Sequence, residues 1–463
     1  MSKFNTKKTG FDTGIIAGTM TDVAGKYTDY ELLRRVTLAN MLFESNYYQS
    51  ADDIMNQIER LVQIVDPNQT IALAIECRFE QKLRHTPLWL LLLVNQYHKD
   101  VSIKDALGKI ANRPDMLMDM LGMLKARQGK IKPISKPIKK GMVLAFDNYD
   151  EYQIAKYKKS NLEISLVDVV NLVHPKPNQK NADALRKLVK GELGAANTWE
   201  SALSSGADKK VTFERMIDEN SLGSLAILRN IRNMKDSGMS RAYIKKAISQ
   251  VKSKMLTPLN FLAAQRIAPE YTEDLNEAMK NCFADYQIKG TTILAIDVSG
   301  SMGGLTSGYS DFTRMDLAFA MAALGSYIFE DLILVFTAGD DWARKGAHMI
   351  WNNSKGLGIF NDFHSIRQVV GGGGIFTYQL CEWLKKEGYA KDADRLVVLS
   401  DSQDIDVSRG IKVKPDTSPY DYSYILDIST HTHGIKTGVW TAEINGWSDR
   451  LFHYIAALET SQQ

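Results

Sequence analysis

A carboxylate and two hydroxyl groups follow the apolar run Thr292–Ile296 at two-residue intervals, as the side chains of Asp297, Ser299 and Ser301. Because alternate residues of an extended segment face the same way, one turn can direct the three oxygens to a common point. Small hard cations such as Mg²⁺ prefer oxygen ligands of this kind. The spacing therefore predicts a metal site at the carboxyl end of a buried strand, where open α/β sheets bind their ligands.

Two later elements supply further oxygen ligands. The apolar run Arg395–Ser400 is followed by Asp401, and the glycine loop Gly371–Gly374 comes before Thr377. Together with Asp-x-Ser-x-Ser, these elements resemble the metal-ion-dependent adhesion site of von Willebrand A-like domains. The resemblance implies that the hydroxyl groups bind the cation directly, whereas the two aspartates mainly orient its waters. The implied set for a divalent cation, in the first instance Mg²⁺, is Asp297, Ser299, Ser301, Thr377 and Asp401.

The glycine loop departs from that pattern. The family usually places its threonine directly after the glycines, whereas Ile375 and Phe376 precede Thr377 in this chain. Either the loop is remodelled or the metal binds without the threonine. A simpler alternative is that Asp297 and Asp401 only cap helices at the ends of their strands.

A catalytic role for the same residues is a further alternative. A strand-end aspartate such as Asp297 could be a nucleophile in phosphoryl transfer, but the usual loop has a second aspartate where Ser299 stands. The sequence shows no Ser-His-Asp or Cys-His arrangement. His431-Thr432-His433 fits a loop after a strand better than a metal site. We therefore expect no catalytic residues and no enzyme activity.

The net charge of +3 conceals a division of charge along the chain. Residues 1–290 contain 43 Lys and Arg against 33 Asp and Glu, whereas residues 291–463 contain 14 against 21. A basic part joined to an acidic part indicates different partners for each. The basic part is the candidate for binding a polyanion such as nucleic acid.

One long stretch of the basic part contains no acidic residue, between Asp119 and Asp147. Pro133 and Pro137 predict a partly extended backbone there, which would spread the positive charges along a strand of phosphates. Lys156-Tyr157-Lys158-Lys159 follows, and an aromatic ring among cations is typical of single-stranded RNA binding. A solvated basic face is the alternative. The cations of the stretch are Lys125, Arg127, Lys130, Lys132, Lys136, Lys139 and Lys140.

Two kinds of element must position these residues. From about Tyr27 to Phe283 apolar residues recur at intervals of three and four, which predicts paired helices of irregular, HEAT-like type. After Gly290, strands alternate with helices, which predicts a parallel, doubly wound sheet of von Willebrand A-like type. The last predicted strand is Gly438–Glu443, and the pattern assigns no element to the segment Gly346–Phe363. The predicted fold class is thus α plus α/β, with domains at residues 1–288 and 289–463.

Length and composition limit the remaining classes. A chain of 463 residues favours two or more domains. It has no apolar run of the roughly 18 residues that span a membrane, and its N-terminus lacks a signal region. Three distant cysteines disfavour disulfides and a zinc cluster. We expect a cytoplasmic protein that binds neither membranes nor DNA.

Several segments of the sequence resemble, in the same order, the TROVE domain of the Ro ribonucleoprotein autoantigen and its bacterial relative Rsr. The resemblance covers nearly the whole chain, and it depends on the segments together. They are Leu83–Leu88, Ala155–Lys159, Asn171–Pro177, Thr198–Glu200, Leu225–Met234, Pro258–Leu262 and Asp297–Met302.

The resemblance implies a ring of HEAT-like repeats closed by the A-like domain. It implies binding of small Y-type RNAs on the basic surface and of single-stranded 3′ ends of misfolded non-coding RNA in the central hole. It also implies work with an exoribonuclease partner, and a metal site that binds an acidic side chain of a partner protein. The candidate RNA contacts, including the cationic run, are Lys156, Lys158, Lys159, His174, Lys136, Lys139, Lys140, Arg84, His85, Arg229 and Arg232.

Several of these residues could instead have a purely structural role. His174 could be a neutral core histidine, and the turn that contains Arg84 and His85 could be structural. Arg229 and Arg232 lie three apart on one helical face and could form salt bridges between repeats. For the whole chain, the competing function is a metal-dependent protein-interaction scaffold with incidental RNA binding.

Overall fold

The computed structural model describes most of the chain, and the chain divides into two compact units between Ser205 and Gly206. The description covers residues 28–39, 51–80, 83–158, 163–194, 196, 198–253, 256–283, 287–305, 311–389, 391, 393–401, 406, 420–428, 440–445 and 451–460. Within these ranges, no helix is both long enough and apolar enough to cross a membrane.

The described part of the first unit is helical. Its apolar residues recur at helical spacing, and several helices begin where a proline or a capping side chain permits it. Asp150 and Thr198, for example, form capping boxes. The helices are α1 (Asp29–Ala39), α2 (Ala51–Ile64), α3 (Pro67–Phe79), α4 (His85–Tyr97), α5 (Lys104–Ile110), α6 (Pro114–Gln128), α7 (Lys136–Ala145), α8 (Glu151–Tyr157), α9 (Leu166–Val173), α10 (Ala182–Lys190) and α11 (Trp199–Ser204).

Helix α4 supplies the centre of the first unit's core. Its seven successive residues Leu88–Val94 are all buried, as their uninterrupted apolar sequence predicts. Helices α5 and α7 cross closely because each carries a glycine at the contact. A Cβ atom on Gly141 of α7 would lie 2.8 Å from the Cβ of Leu107, and one on Gly108 of α5 would lie 2.8 Å from that of Leu144. These contacts leave no room for a larger residue.

The second unit begins with helices and continues into a mixed sheet with further helices. The helices before the sheet are α12 (Lys209–Asp218), α13 (Ser224–Asp236), α14 (Arg241–Ser249), α15 (Pro258–Ile267) and α16 (Thr272–Phe283). The strands are β1 (Ile288–Asp297), β2 (Phe329–Asp340), β3 (Lys345–Ile350), β4 (Arg395–Ser400), β5 (Tyr422–Asp427) and β6 (Ala442–Asn445). The remaining helices are α17 (Arg314–Ile328), α18 (Phe363–Val370), α19 (Thr377–Lys386) and α20 (Leu451–Thr460).

The sheet has the strand order β3-β2-β1-β4-β5-β6, and only β3 runs antiparallel to its neighbour. Helices cover both faces because β1 is apolar at successive positions. Ile293 and Ala295 pack with α19 in one cluster, whereas Leu294 on the other face lies against Gly325 of α17. The predicted combination of helices with a doubly wound, A-like sheet is therefore confirmed.

The prediction from the sequence omitted one strand and placed another a few residues too early in the chain. Strand β3 lies in the segment Gly346–Phe363, for which the sequence pattern predicted no element. The strand expected at Gly438–Glu443 is described as Ala442–Asn445. The domain boundary at residue 289 stays a prediction: the first strand begins at Ile288, but the compact units divide at Ser205.

Candidate functional site

The predicted metal residues lie at the point where the strand order changes direction. From β1 the sheet continues to β2 on one side and to β4 on the other, and all three strands are parallel. Asp297 ends β1, and Asp401 directly follows β4. The fold thus brings together two carboxylates that are 104 positions apart in sequence. Such a switch point is the usual ligand site of an open α/β sheet.

Asp297 is completely buried and held by two hydrogen bonds. Its Oδ1 accepts from the amide of Ser299 at 2.8 Å, and its Oδ2 accepts from the hydroxyl of Ser400 at 2.7 Å. Burial raises the pKa of Asp297 to about 7; the negative charge of Asp401 also raises it, whereas the bonds from the two serines lower it. A cation beside these carboxylates would therefore stabilise the ionised form of Asp297.

The two serines of the motif lie side by side, and their loop meets the glycine loop. The Oγ atoms of Ser299 and Ser301 are 3.1 Å apart. A Cβ atom on Gly300 would lie 3.1 Å from the carbonyl oxygen of Gly372. Gly371 has a φ of 81°, a conformation that favours glycine, and this lets the loop turn back toward β2. The predicted elements are thus brought together.

Thr377 is buried and forms the first residue of α19. The two residues that interrupt the family pattern, Ile375 and Phe376, are themselves fully buried, so the loop is longer because it contributes to the core. Asp406 accepts hydrogen bonds from the amides of Tyr378 (2.9 Å) and Gln379 (3.2 Å), which caps this helix. The role of Thr377 as a metal ligand stays a prediction.

Arg314 is a residue of this site that the sequence analysis missed. Its Nη1 donates to Oδ2 of Asp401 at 3.1 Å and to the carbonyl oxygen of Ser301 at 3.2 Å. The side chain is only 12% exposed. No spacing rule links it to Asp401, which lies 87 positions away. The sequence does show a hydroxyl residue, Ser400, directly before Asp401, and its position at the end of the strand could have predicted a hydrogen bond to Asp297.

The donor set fits a hard divalent cation. It consists of hydroxyl and carboxylate oxygens on a buried turn, and Asp297 is held in a place where its negative charge is costly. In the part of the chain described above, no group of three His, Cys, Asp or Glu side chains could hold a metal. A cation here would therefore need the hydroxyls of Ser299 and Ser301 and water in addition to the carboxylates.

The candidate RNA contacts in the first unit include one convergent group of lysines. Lys136, Lys139 and Lys140 of α7, with Lys104 of α5, surround a cavity of about 440 Å³. The prediction of a partly extended backbone is wrong at Pro137, which lies in the first turn of α7, where a helix tolerates proline. Pro133 lies between α6 and α7, outside both helices. Helix α7 gathers the three lysines instead of spreading them.

Other cations of the acid-free stretch pair with carboxylates from elsewhere in the chain. Lys125 contacts Glu163, and Arg127 contacts Glu59, donating from its Nη1 at 3.0 Å. The guanidinium of Arg127 also lies 5.2 Å from the centre of the Trp89 ring. These two residues of α6 thus contribute to packing within the unit.

The second cluster of candidates shows mixed surroundings. Lys156 is exposed, and its Nζ lies 5.6 Å from the centre of the Tyr152 ring. Lys158 donates to the carbonyl oxygen of Leu193, whereas Lys159 lies outside the described residues. His174 is not in a core: it is exposed and ends α9 with a φ of 53°.

Arg84 and His85 belong to an ion-pair network at the start of α4. Arg84 contacts Asp115 and Asp119, each at 3.2 Å, and Nε2 of His85 lies 3.3 Å from Asp119. Because Asp119 is buried, removal of its cationic partners would leave a buried charge uncompensated. Contact of these two residues with RNA stays a prediction.

Arg229 and Arg232 lie on α13 of the second unit, and both are exposed. Neither takes part in a salt bridge among the residues that the structure describes. The alternative of salt bridges between repeats therefore has no support in this part of the chain. Their contact with RNA stays a prediction.

Comparison with known proteins relates these features to one family. A model of the TROVE domain matches residues 186–294. The fold is similar to the crystal structure of the Deinococcus radiodurans Ro (Rsr) protein, with a TM-score of 0.62 and 17% identity, over 94% of this chain and 100% of that one. No curated protein sequence matches. The TROVE match and the shared fold confirm the resemblance of this chain to the Ro and Rsr family.

Proposed function

We propose that this protein is a non-catalytic, cytoplasmic RNA-binding protein of the Ro type. The observation that carries the proposal is the cavity bordered by Lys104, Lys136, Lys139 and Lys140. Its only acidic neighbour in a described salt bridge is Asp105, which lies 3.3 Å from Lys104 and is 83% exposed. A solvent-exposed pair of this kind is weak and does little to cancel the local charge.

The geometry suits a phosphate backbone better than a single small anion. Three of the four lysines extend from one helix of ten residues, so that successive phosphates of a strand can each meet an ammonium group. Val143 and Leu144 also line the cavity, and their side chains offer no base-specific hydrogen bonds. Binding is therefore electrostatic and tolerant of sequence, as expected for capture of RNA by its backbone.

The family resemblance supports finer roles within the same proposal. The ligands are small Y-type RNAs and the single-stranded 3′ ends of misfolded non-coding RNA, and the work is RNA quality control in a ribonucleoprotein. Degradation belongs to an exoribonuclease partner. Exposed Lys156, His174, Arg229 and Arg232 would provide further contacts.

The A-like part of the second unit would hold Mg²⁺ with Asp297, Ser299, Ser301 and Asp401, and with Thr377 if its hydroxyl reaches the ion. When bound, the cation supplies an open coordination position for an acidic side chain of a partner protein. Ser400 and Arg314 hold the two carboxylates in place. The protein's own contribution is to orient these oxygens and exclude bulk water from Asp297.

The test of RNA binding is a charge reversal on α7. The variant Lys139→Glu/Lys140→Glu should bind a single-stranded RNA at least tenfold more weakly than the wild type in a gel shift at low salt. The dependence of log affinity on log salt should also become shallower by about one unit for each phosphate that the variant no longer neutralises. The matched control, Lys209→Glu/Lys210→Glu, makes the same charge change at exposed positions of α12. If both variants bind RNA like the wild type, and no small RNA copurifies with the protein at low salt, the proposal fails.

A protein-interaction scaffold is the second candidate, favoured by one observation. Trp342, at the turn between β2 and β3, is 98% exposed. The same turn contacts the glycine loop, since the amide of Gly374 donates to Asp341 at 2.6 Å. An exposed indole beside a metal site is typical of a surface that binds a protein. Under this alternative, Trp342→Ala abolishes capture of a protein partner while the lysine variant leaves it unchanged.

A further inference from the structure

The second unit contains a cavity of about 520 Å³ beside the metal-site loop. Residues of α15 border one side, and Ser299 and Gly300 border another. A volume of this size is within the usual range for small-molecule sites, about 300–1,000 Å³. Of the proposed metal ligands, Ser299 alone borders this cavity, and none of the lysines of α7 does.

The residues that line the cavity include two arginines and one aspartate. Arg266 pairs with Asp316, and its guanidinium lies 5.1 Å from the centre of the Phe312 ring. Arg367 also borders the cavity, and within the described ranges it forms no salt bridge. Among the charged residues that line the cavity, Arg367 is therefore the one cation without a carboxylate in a described salt bridge. Asp297, which accepts from the amide of the lining residue Ser299, adds negative charge nearby.

The guanidinium of Arg367 is held in place by its neighbours. It lies 5.7 Å from the centre of the Phe363 ring on its own helix. It also packs on Gly372, where a Cβ atom would lie within 2.0 Å of Nη2. Because any side chain at position 372 would displace it, the glycine loop preserves the position of this cation. A half-buried guanidinium that already packs on an aromatic ring has less conformational freedom to lose on binding an anion.

The remaining wall is apolar and aromatic. Phe319 packs against Phe360 with ring centres 5.6 Å apart and against Phe363 at 5.5 Å. Met315 and Leu262 complete this side. Such a wall favours a ligand with an apolar body, since its burial contributes about 25 cal/mol per Å².

We propose that this cavity binds a small organic monocarboxylate with an apolar body, whose carboxylate pairs with Arg367. The planar guanidinium offers parallel donors that match a carboxylate. A carboxylate brings the single charge that Arg367 can pair with, whereas a phosphate monoester dianion would bring a second negative charge close to the carboxylates of the neighbouring metal site. The proposal depends neither on RNA binding nor on a bound metal.

The test is calorimetry on the full chain in EDTA, with 3-phenylpropionate as the probe. The wild type should bind 3-phenylpropionate at least tenfold more tightly than its uncharged amide and more tightly than acetate, which lacks the apolar body. This comparison needs no variant. Arg367→Gln should weaken binding of 3-phenylpropionate at least tenfold, and the control Arg60→Gln, at an exposed position of α2, should not change it.

Four outcomes would overturn the proposal. The first is equal binding of 3-phenylpropionate and its amide, and the second is an Arg367→Gln variant that melts and binds the acid like the wild type. The third is tighter binding of phenyl phosphate than of 3-phenylpropionate. The fourth is binding of 3-phenylpropionate that appears only when Mg²⁺ replaces EDTA. The last outcome would assign the anion to the metal site. Loss of Mg²⁺ binding in an Asp297→Ala variant, with binding of 3-phenylpropionate retained, would support a site anchored by Arg367.

Discussion

Replacing Arg314 by glutamine should tighten the binding of Mg²⁺. In the structure, Nη1 of Arg314 donates to the same Asp401 carboxylate that would face the cation, and to the carbonyl oxygen of Ser301. The guanidinium thus already neutralises part of the site's negative charge. A divalent cation that binds there meets repulsion from this fixed positive charge and competes with it for Asp401.

The size of the effect follows from Coulomb's law. A unit charge and a divalent cation about 4 Å apart repel each other by about 2 kcal/mol in water and by about 8 kcal/mol at an effective dielectric constant of about 20. The Arg314 side chain is 12% exposed, which places it nearer the second case. Displacement of the side chain and entry of water reduce the repulsion, so we expect a gain of about 1.4 to 2.8 kcal/mol. That gain corresponds to an affinity about tenfold to a hundredfold higher.

The same substitution should lower the free energy of unfolding of the metal-free protein. Asp401 is fully buried, and removing the partner of a buried charge costs about 3–5 kcal/mol. The Arg314→Gln variant should therefore unfold at lower urea concentration than the wild type in EDTA. Saturating Mg²⁺ should recover a larger part of its stability than it does for the wild type, because ligand binding stabilises the folded state by mass action.

Calorimetric titration with Mg²⁺ and urea unfolding with and without Mg²⁺ measure both effects. Arg314→Lys is the matched control: it keeps the charge, so its affinity for Mg²⁺ should stay within about threefold of the wild type. Equal or weaker binding by the glutamine variant would refute the electrostatic argument. Absence of Mg²⁺ binding in all three proteins would refute the metal site itself.

Two further predictions concern stability. Gly141→Ala should destabilise the protein by about 1–3 kcal/mol in urea unfolding, because its Cβ would lie 2.8 Å from that of Leu107; Gly194→Ala, where a Cβ meets nothing within 4 Å, should be almost neutral. For His348, burial lowers the pKa to about 4, so below pH 6.5 the unfolded chain takes up a proton that the folded chain resists. Stability should therefore fall by up to about 3 kcal/mol between pH 6.5 and 4, and a His348→Gln variant should lack this part of the loss; identical pH profiles would contradict it.

Local patterns in the sequence were enough to predict the main elements and the metal motif. Strands β1 and β4 are buried on both faces, so each is a continuous apolar run that ends at a carboxylate. Strand β3 was not predicted, because its glycine and histidine, Gly346 and His348, break the apolar pattern. Arg314 was not predicted, because its partner is brought near only by the order of the strands.

Charge counted along the sequence overestimated the basic surface, and the structure explains why. The acid-free stretch looked uniform, yet Lys125 and Arg127 pair with Glu163 and Glu59, which are 38 and 68 positions away. Such pairs remove charge from the surface without leaving a sign in the local sequence. The lysines of α7 form no salt bridge among the described residues, and they border a cavity that Val143 and Leu144 also line. A surface that binds phosphates is therefore defined by the cationic side chains that form no salt bridge in the folded protein. In the described part of the first unit, the lysines of α7 are such a group, and they border one cavity.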